Sequence, residues 1–281
     1  MNLSRWAALL LLAAGAANAQ GKCSADTAEW QTCANWDARE FSDGAFFLRN
    51  NIWGSESPGA GKQCFWARSE SCWGVVAEHH NGDGTPKGYP QSVQGWVTGN
   101  GIVSSRKRLG IPVRKLTKAK IHWKMDTPDT GRYMALWDIY FHKKARPGGE
   151  DKPQTSLMIN QRMADDGYYA TQLLRCPQNN APCPEVTFDG HTFKLWVGQA
   201  DWATGNVIQL FLVPTKGRLF GSEDMTLDLK AVIDGLHQSG LIADSEYLTS
   251  IQAGWEIIEG GTFTTLEHWT ALQDEPEPVS P

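Results

Sequence analysis

The stretch Gln154–Gln161, QTSLMINQ, alternates like a strand, with Ser156, Met158 and Asn160 on one face and Leu157 and Ile159 on the other. Its polar face carries a hydroxyl and a carboxamide but no carboxylate. A serine hydroxyl is a poor nucleophile unless a base stands beside it. Upstream, YMALWDIYFH (133–142) alternates in the same way and aligns Asp138, Tyr140 and His142 on one face. A carboxylate in such a row can act as general base toward a water, with the histidine assisting or holding that water. Adjacent His79 and His80 do not read as a metal pair, because neighbours on a strand point to opposite faces. No metal and no organic cofactor is expected.

The elements that would carry these residues are mostly short alternating runs separated by Gly, Pro, Asn and Asp. AFFLRNNIWG (45–54), AKIHWKMD (119–126), TSLMINQ (155–161), HTFKLWVG (191–198) and NVIQLFLVP (206–214) join the run around Asp138. Such spacing predicts an all-β antiparallel sandwich or jelly roll. One segment departs from it. In DLKAVIDGLHQSGLI (228–242), Leu229, Val232, Ile233 and Leu236 fall at i, i+3, i+4 and i+7, which predicts an amphipathic helix, with Gly240 as its stop signal. That helix must lay its apolar stripe on the outside of a sheet.

The 281 residues open with Arg5, an apolar run and Ala17-Asn18-Ala19, the pattern of a cleaved secretory signal over residues 1–19. A single domain is expected over residues 20–272. The acidic, proline-rich tail QDEPEPVSP (273–281) is expected to be disordered. The product would be soluble, monomeric and exported, either extracellular or periplasmic. Six cysteines agree with an oxidising compartment, and Cys176 and Cys183 flank a turn-rich segment suited to a local staple. Six cysteines allow 15 connectivities. The net charge of −5 argues against a nucleic-acid partner, and no other apolar run is long enough for a membrane span. The basic stretch 104–120, with seven Lys and Arg, reads as a solvated outer strand and loop; a contact with an acidic polymer is its alternative. Thirteen tryptophans exceed what a core of this size needs, so three or four are expected to line a ligand cleft.

Four pieces, in order, resemble glycoside hydrolase family 12, the compact endo-β-1,4-glucanases and xyloglucanases. Asn50-Asn51-Ile52-Trp53-Gly54 is similar to the family's NN-x-WG. Lys87-Gly88-Tyr89-Pro90 is similar to its KSYP turn, with glycine for serine. Trp137-Asp138-Ile139-Tyr140-Phe141 and Leu157-Met158-Ile159 resemble its YD strand and ExMIW strand. DLKAVIDGL followed by YLTSIQAGWEIIEGG (247–261) resembles its helix, strand and Gly-x-Glu motif. The likeness covers roughly residues 33–268. It implies a concanavalin-like jelly roll of two curved antiparallel sheets with the helix outside, a β-glucan polysaccharide or oligosaccharide as partner, and a retaining mechanism with two carboxylates ~5 Å apart. It further implies Glu256 as acid/base, Asp138 as the supporting aspartate, and a Cys33–Cys64 disulfide that leaves Cys23 and Cys72. Asn51, Trp53, Tyr140, His142, Met158, Asn160 and Trp255 become candidate substrate contacts, and Gly254 is expected to give a sugar room to approach its strand.

The nucleophile position of that family falls on Ser156. Asn160 stands where the family has tryptophan, and Glu78-His79-His80 lies near its Trp-x-Trp platform. Three departures on the expected ligand face leave three readings. Asp138 acting as base on a water, with Glu256 as acid, gives an inverting hydrolase, which needs its carboxylates ~6.5–9.5 Å apart. A glucan-binding protein without turnover is the second. A structural jelly roll that meets no sugar is the third.

Overall fold

The computed structural model describes residues 23–80, 82–97, 103–105, 109–164, 183–199, 207–215 and 220–273. The opening segment expected to be a signal, the tail beyond 273, Cys176 and Arg106–Arg108 of the basic stretch lie outside these residues. Two sheets face one another. The smaller runs β1 (Trp30–Thr32), β4 (Gln63–Ser69), β5 (Cys72–Ala77), β18 (Gly261–Leu272), β9 (Ala119–Asp126), β16 (Asp224–Asp228). The larger runs β12 (Glu185–Phe188), β13 (His191–Gln199), β14 (Ile208–Pro214), β11 (Thr155–Met163), β10 (Arg132–His142), β17 (Tyr247–Glu259), β6 (Gln91–Val97), β3 (Phe46–Arg49), β2 (Ala38–Phe41). Short β7 (Val103–Ser104), β8 (Ile111–Pro112) and β15 (Phe220–Gly221) attach to β6, β17 and β11. This is a jelly roll, as expected, with one difference: β11 and β14 pair in parallel. A parallel pair needs a long crossover, and the chain between 163 and 208 supplies it.

Strand alternation divides the chemistry between two faces. On β10, Tyr133, Ala135, Trp137, Ile139 and Phe141 enter the core between the sheets, together with Leu157 and Ile159 of β11 and Ile251, Ala253 and Trp255 of β17. Met134 and Leu136 point the other way and join Tyr89, Phe211 and Ile258 in a separate apolar cluster on the outer, concave face. Most of the tryptophan surplus serves the core. Trp73 lies 4.7 Å from Trp255 and stacks on Trp123 at 6.2 Å, and Trp123 meets Trp137 edge-on at 6.0 Å, measured between ring centroids. Such aromatic contacts add to area burial.

The helix α1 (Leu229–Gln238) buries Leu229, Val232, Ile233 and Leu236, the four positions expected from the periodicity. Asp228 caps it, accepting from the Ala231 amide at 3.0 Å. Gly240, at φ +73°, ends it in the left-handed conformation that favours glycine. In the basic stretch, Arg114 and Lys115 are exposed on a turn anchored by buried Val113. Cys33–Cys64 and Cys23–Cys72 are disulfides, and Cys183 is also disulfide-bonded. Among the described residues no helix is long and apolar enough to cross a membrane.

Candidate active site

The site lies on the concave face of the larger sheet, where cross-strand register sets its rows. Trp196 is opposite Phe211, Phe211 beside Met158, Met158 opposite Asp138, and Asp138 opposite Gln252. Cross-strand partners share a face, so this row runs perpendicular to the strands and forms the floor of a trough. One repeat away stand Tyr140, Ser156 and Ser250.

Asp138 is almost covered, at 4% exposure. Ser156 Oγ donates to its Oδ1 at 3.0 Å, and the Tyr140 hydroxyl hydrogen-bonds it as well. Burial disfavours the charged carboxylate and raises its pKa to about 7, against the opposing pull of those two hydrogen bonds. Tyr140 is held well above its ordinary value, first by burial and then by the charge of Asp138.

Glu256 faces the same side from β17, opposite Met134. It is partly covered, and its Oε2 is buried without a hydrogen-bond partner. Burial first, and the charge of Asp138 second, push its pKa up to about 8; a hydrogen bond from Trp53 pulls the other way. Trp53 is 46% exposed, so one ring both touches the acid and presents a flat surface to solvent. The two acids lie outside the inter-sheet core and share one face, and the charge of Asp138 acts on Glu256. Ser156 stands beside them where a third carboxylate was expected.

Other candidates fall into place or out of it. Asn51 donates to Gln91 Oε1 at 3.2 Å at the edge of the trough, and Met158 is half-buried within the outer cluster. Trp255 is not a substrate contact. It is fully buried among Trp73, Trp123 and Phe263, because the neighbour of an outward Glu256 on a strand must point inward. Asn160 is not an open contact either: it is fully buried, and its Nδ2 donates to the Leu212 carbonyl at 3.2 Å, beside the bulge that interrupts β10–β11 pairing. His142 shares the strand face of Tyr140, with ring centroids 6.4 Å apart, but is 1% exposed and bound to Thr249 Oγ1 at 2.6 Å. It therefore sits beyond the acids rather than between them.

The expectation for Gly254 also changes. A Cβ there would lie 2.4 Å from the Pro90 carbonyl and 2.8 Å from the Tyr89 ring, so the space is filled by protein and not by a sugar. Gly88 has a comparable reason for replacing serine: a Cβ would meet the Asn51 carbonyl at 2.6 Å and Gln63 Oε1 at 2.8 Å. His79 does not stand on the ligand face. Its Nδ1 accepts from the Gly61 amide at 3.1 Å and its Nε2 contacts Gln63 Oε1 at 3.0 Å; burial holds its pKa down at about 4. Ser156 is fully buried as well, but unlike Asn160 and His79 it contacts one of the acids, Asp138.

Several site residues had no sequence signal. Gln91 donates to Gln252 Oε1 at 2.7 Å, forming a carboxamide pair on the trough floor. Arg49, opposite Gln91, places its guanidinium 4.6 Å over the exposed Trp36 ring, and burial lowers its pKa. With Trp53 and Trp196, Trp36 brings the described tryptophans on or beside this face to three. Among the described residues no group of three or more His, Cys, Asp or Glu could hold a metal.

No family model matches the chain. Endoglucanase S of Pectobacterium parmentieri is 24% identical over 240 residues, 83% of each chain. Among solved structures, the family 12 xyloglucanase from Bacillus licheniformis superposes with a TM-score of 0.74 at 18% identity, covering 87% of this chain and all of its own. Endoglucanase Cel12A from Rhodothermus marinus gives 0.67 at 24% identity, covering 87% and 99%. The xyloglucanase domain of NopAA from Sinorhizobium fredii, solved with cellobiose, gives 0.65 at 18%, covering 87% and 99%. In fold the chain is the jelly roll of the family 12 glycoside hydrolases.

Proposed function

We propose that the protein is an exported, monomeric glycoside hydrolase that cuts β-1,4-linked glucans with inversion, using Glu256 as acid and Asp138 as base. One observation carries this reading: two carboxylates held above their ordinary range share the outer face of the larger sheet, and only a hydroxyl fills the nucleophile position. A glutamate near pKa 8 keeps its proton at neutral pH and can give it to the departing glycosidic oxygen. An aspartate near 7 is poised to take a proton from water. The water oxygen bonds to the anomeric carbon as the carbon–oxygen bond to the leaving sugar breaks, and its proton passes to Asp138. Ser156 holds Asp138 through its hydroxyl and takes no covalent part.

The polar lining supports a sugar ligand. Buried Ser250 Oγ, Asn51 Oδ1 and Trp196 Nε1 lack hydrogen-bond partners, and ring hydroxyls would satisfy them. The cellobiose complex of the NopAA domain, a protein of the same fold, points to the same ligand class. Export is supported by the opening segment and the disulfides.

A second reading, binding without cleavage, has the serine itself in its favour, since loss of an attacking carboxylate abolishes the covalent route. Proton NMR of oligoglucan digests separates the two. Inverted anomers from wild type, lost in Asp138→Asn and Glu256→Gln, support the proposal; retained anomers refute it. A silent wild type that binds glucan, and gains activity in Ser156→Glu, would establish the second reading instead.

A further inference from the structure

At the end of β10 beyond Tyr140, the strand opens into a pocket of about 360 Å³ that the proposed reaction does not use. Its wall is the connection between β10 and β11, and the lysines along it are Lys143, Lys144 and Lys152. Pro153 and Val207, both buried, supply an apolar side, and buried His142 supplies an aromatic one. The connection is held in shape from several points. Asp151 accepts from Lys144 Nζ at 3.1 Å and from the Gly148 amide at 2.6 Å. The Gln154 amide donates to the Phe141 carbonyl at 2.7 Å, and its carbonyl accepts from Ile208 at 3.0 Å.

The electrostatics of this pocket run against those of the whole chain, whose net charge is −5. Three lysines face one lining carboxylate, Asp151. Glu246 lies close enough for Lys143 to act on it, but it is 3% exposed, and burial raises its pKa. His142 adds no charge: burial holds it at about 4 against the pull of the Asp151 carbonyl and carboxylate. A cationic rim above apolar walls fits a ring that is apolar on its faces and anionic at its edge.

Placement supplies the second constraint. Asp138, Tyr140 and His142 follow one another on a single strand face, and Tyr140 touches both neighbours. The trough runs perpendicular to that strand, so the pocket lies to its side, where a branch on a bound glycan would project rather than the backbone itself. We propose that this pocket binds the carboxylate of an acidic sugar, a uronic acid, carried as a branch on the β-1,4-linked glycan lying in the trough. The inference rests on the glucan-cleft reading for the backbone, while the pocket chemistry is its own.

The test is calorimetric titration with a β-1,4-linked oligosaccharide carrying a glucuronic acid branch, and with the same compound after reduction of the carboxyl to a neutral hydroxymethyl. The unbranched oligosaccharide reports on the trough alone, and Lys143→Gln/Lys152→Gln removes two cations outside the acid pair. The acidic compound should bind wild type about tenfold more tightly than its reduced form. That preference should disappear in the double variant and in high salt, with affinity for the unbranched compound unchanged. Equal affinity for acidic and reduced compounds overturns the proposal, as does a preference that survives in the double variant. Free glucuronate and inorganic phosphate separate the sources of the anion: phosphate binding as tightly as the acidic branch would make this a simple anion site and overturn the sugar assignment. Failure of the unbranched compound alone would instead strike the glucan-cleft reading, because an acidic preference that depends on the lysines can be scored without it.

Discussion

Replacing Glu256 by glutamine should make the protein more stable at alkaline pH while removing its activity. An ordinary glutamate titrates at 4.5, whereas burial and the charge of Asp138 hold Glu256 at about 8. The folded state thus keeps a proton that the unfolded chain releases across this interval. With the folded pKa raised, stability contributed by the acid is full below 4.5 and declines as pH climbs toward 8, at up to about 1.4 kcal/mol per pH unit. Glutamine carries no such cost. The gap between variant and wild type should be near zero at pH 4, widen through pH 5–8 and level off above 8. Its ceiling is about 5 kcal/mol by linkage, and partial solvent access reduces it to a few kcal/mol. Denaturant unfolding at half-unit pH steps, with m-values compared to confirm a common transition, measures the gap directly. The same variant should lose 10²–10⁴ in kcat, the usual worth of a general acid, roughly. A gap that stays flat from pH 4.5 to 8 would refute the claim that the acid is held protonated by its surroundings.

Wild-type kcat/KM should follow a bell, rising as Asp138 loses its proton near 7 and falling as Glu256 loses its own near 8, with the two limbs belonging to the coupled pair. Ser156→Ala removes a hydrogen bond that favours the charged aspartate, so the acid limb should move to higher pH with activity retained; complete inactivity would mean that the hydroxyl reacts directly. Trp53→Phe takes away the indole N–H that stabilises ionised Glu256, so the alkaline limb should move upward and glucan affinity should fall modestly. Opening the Cys33–Cys64 link by Cys33→Ala/Cys64→Ala frees a span of 31 residues and should cost about 4 kcal/mol in the chain-entropy account, read as a lower denaturation midpoint.

The parts of this molecule that were readable beforehand are those governed by short-range periodicity. YMALWDIYFH separated its inward and outward residues correctly because a strand has a period of two and Asp138 interrupts an apolar alternation. The helix stripe was equally plain. Trp255 was misplaced although the same rule would have placed it: if Glu256 faces the trough, its neighbour must face the core. Gly254, Gly88 and His79 were unreadable for a different reason. Each answers to atoms distant in sequence, such as Tyr89 Cε2 or Gln63 Oε1, and close approach between remote backbones leaves no local pattern. The Gln91–Gln252 pair spans 161 residues and exists only through the register of β6 with β17.

The strand bearing Glu256 is the last but one of the described strands, yet it lies between β10 and β6 in the middle of the larger sheet. Until residues 247–259 emerge, the two halves of that sheet each present an unpaired edge, the condition that invites association between chains. A nascent or truncated polypeptide ending before Tyr247 would lack the acid and also the slat that joins the halves. Its fate should be aggregation or degradation rather than a shortened, inactive jelly roll.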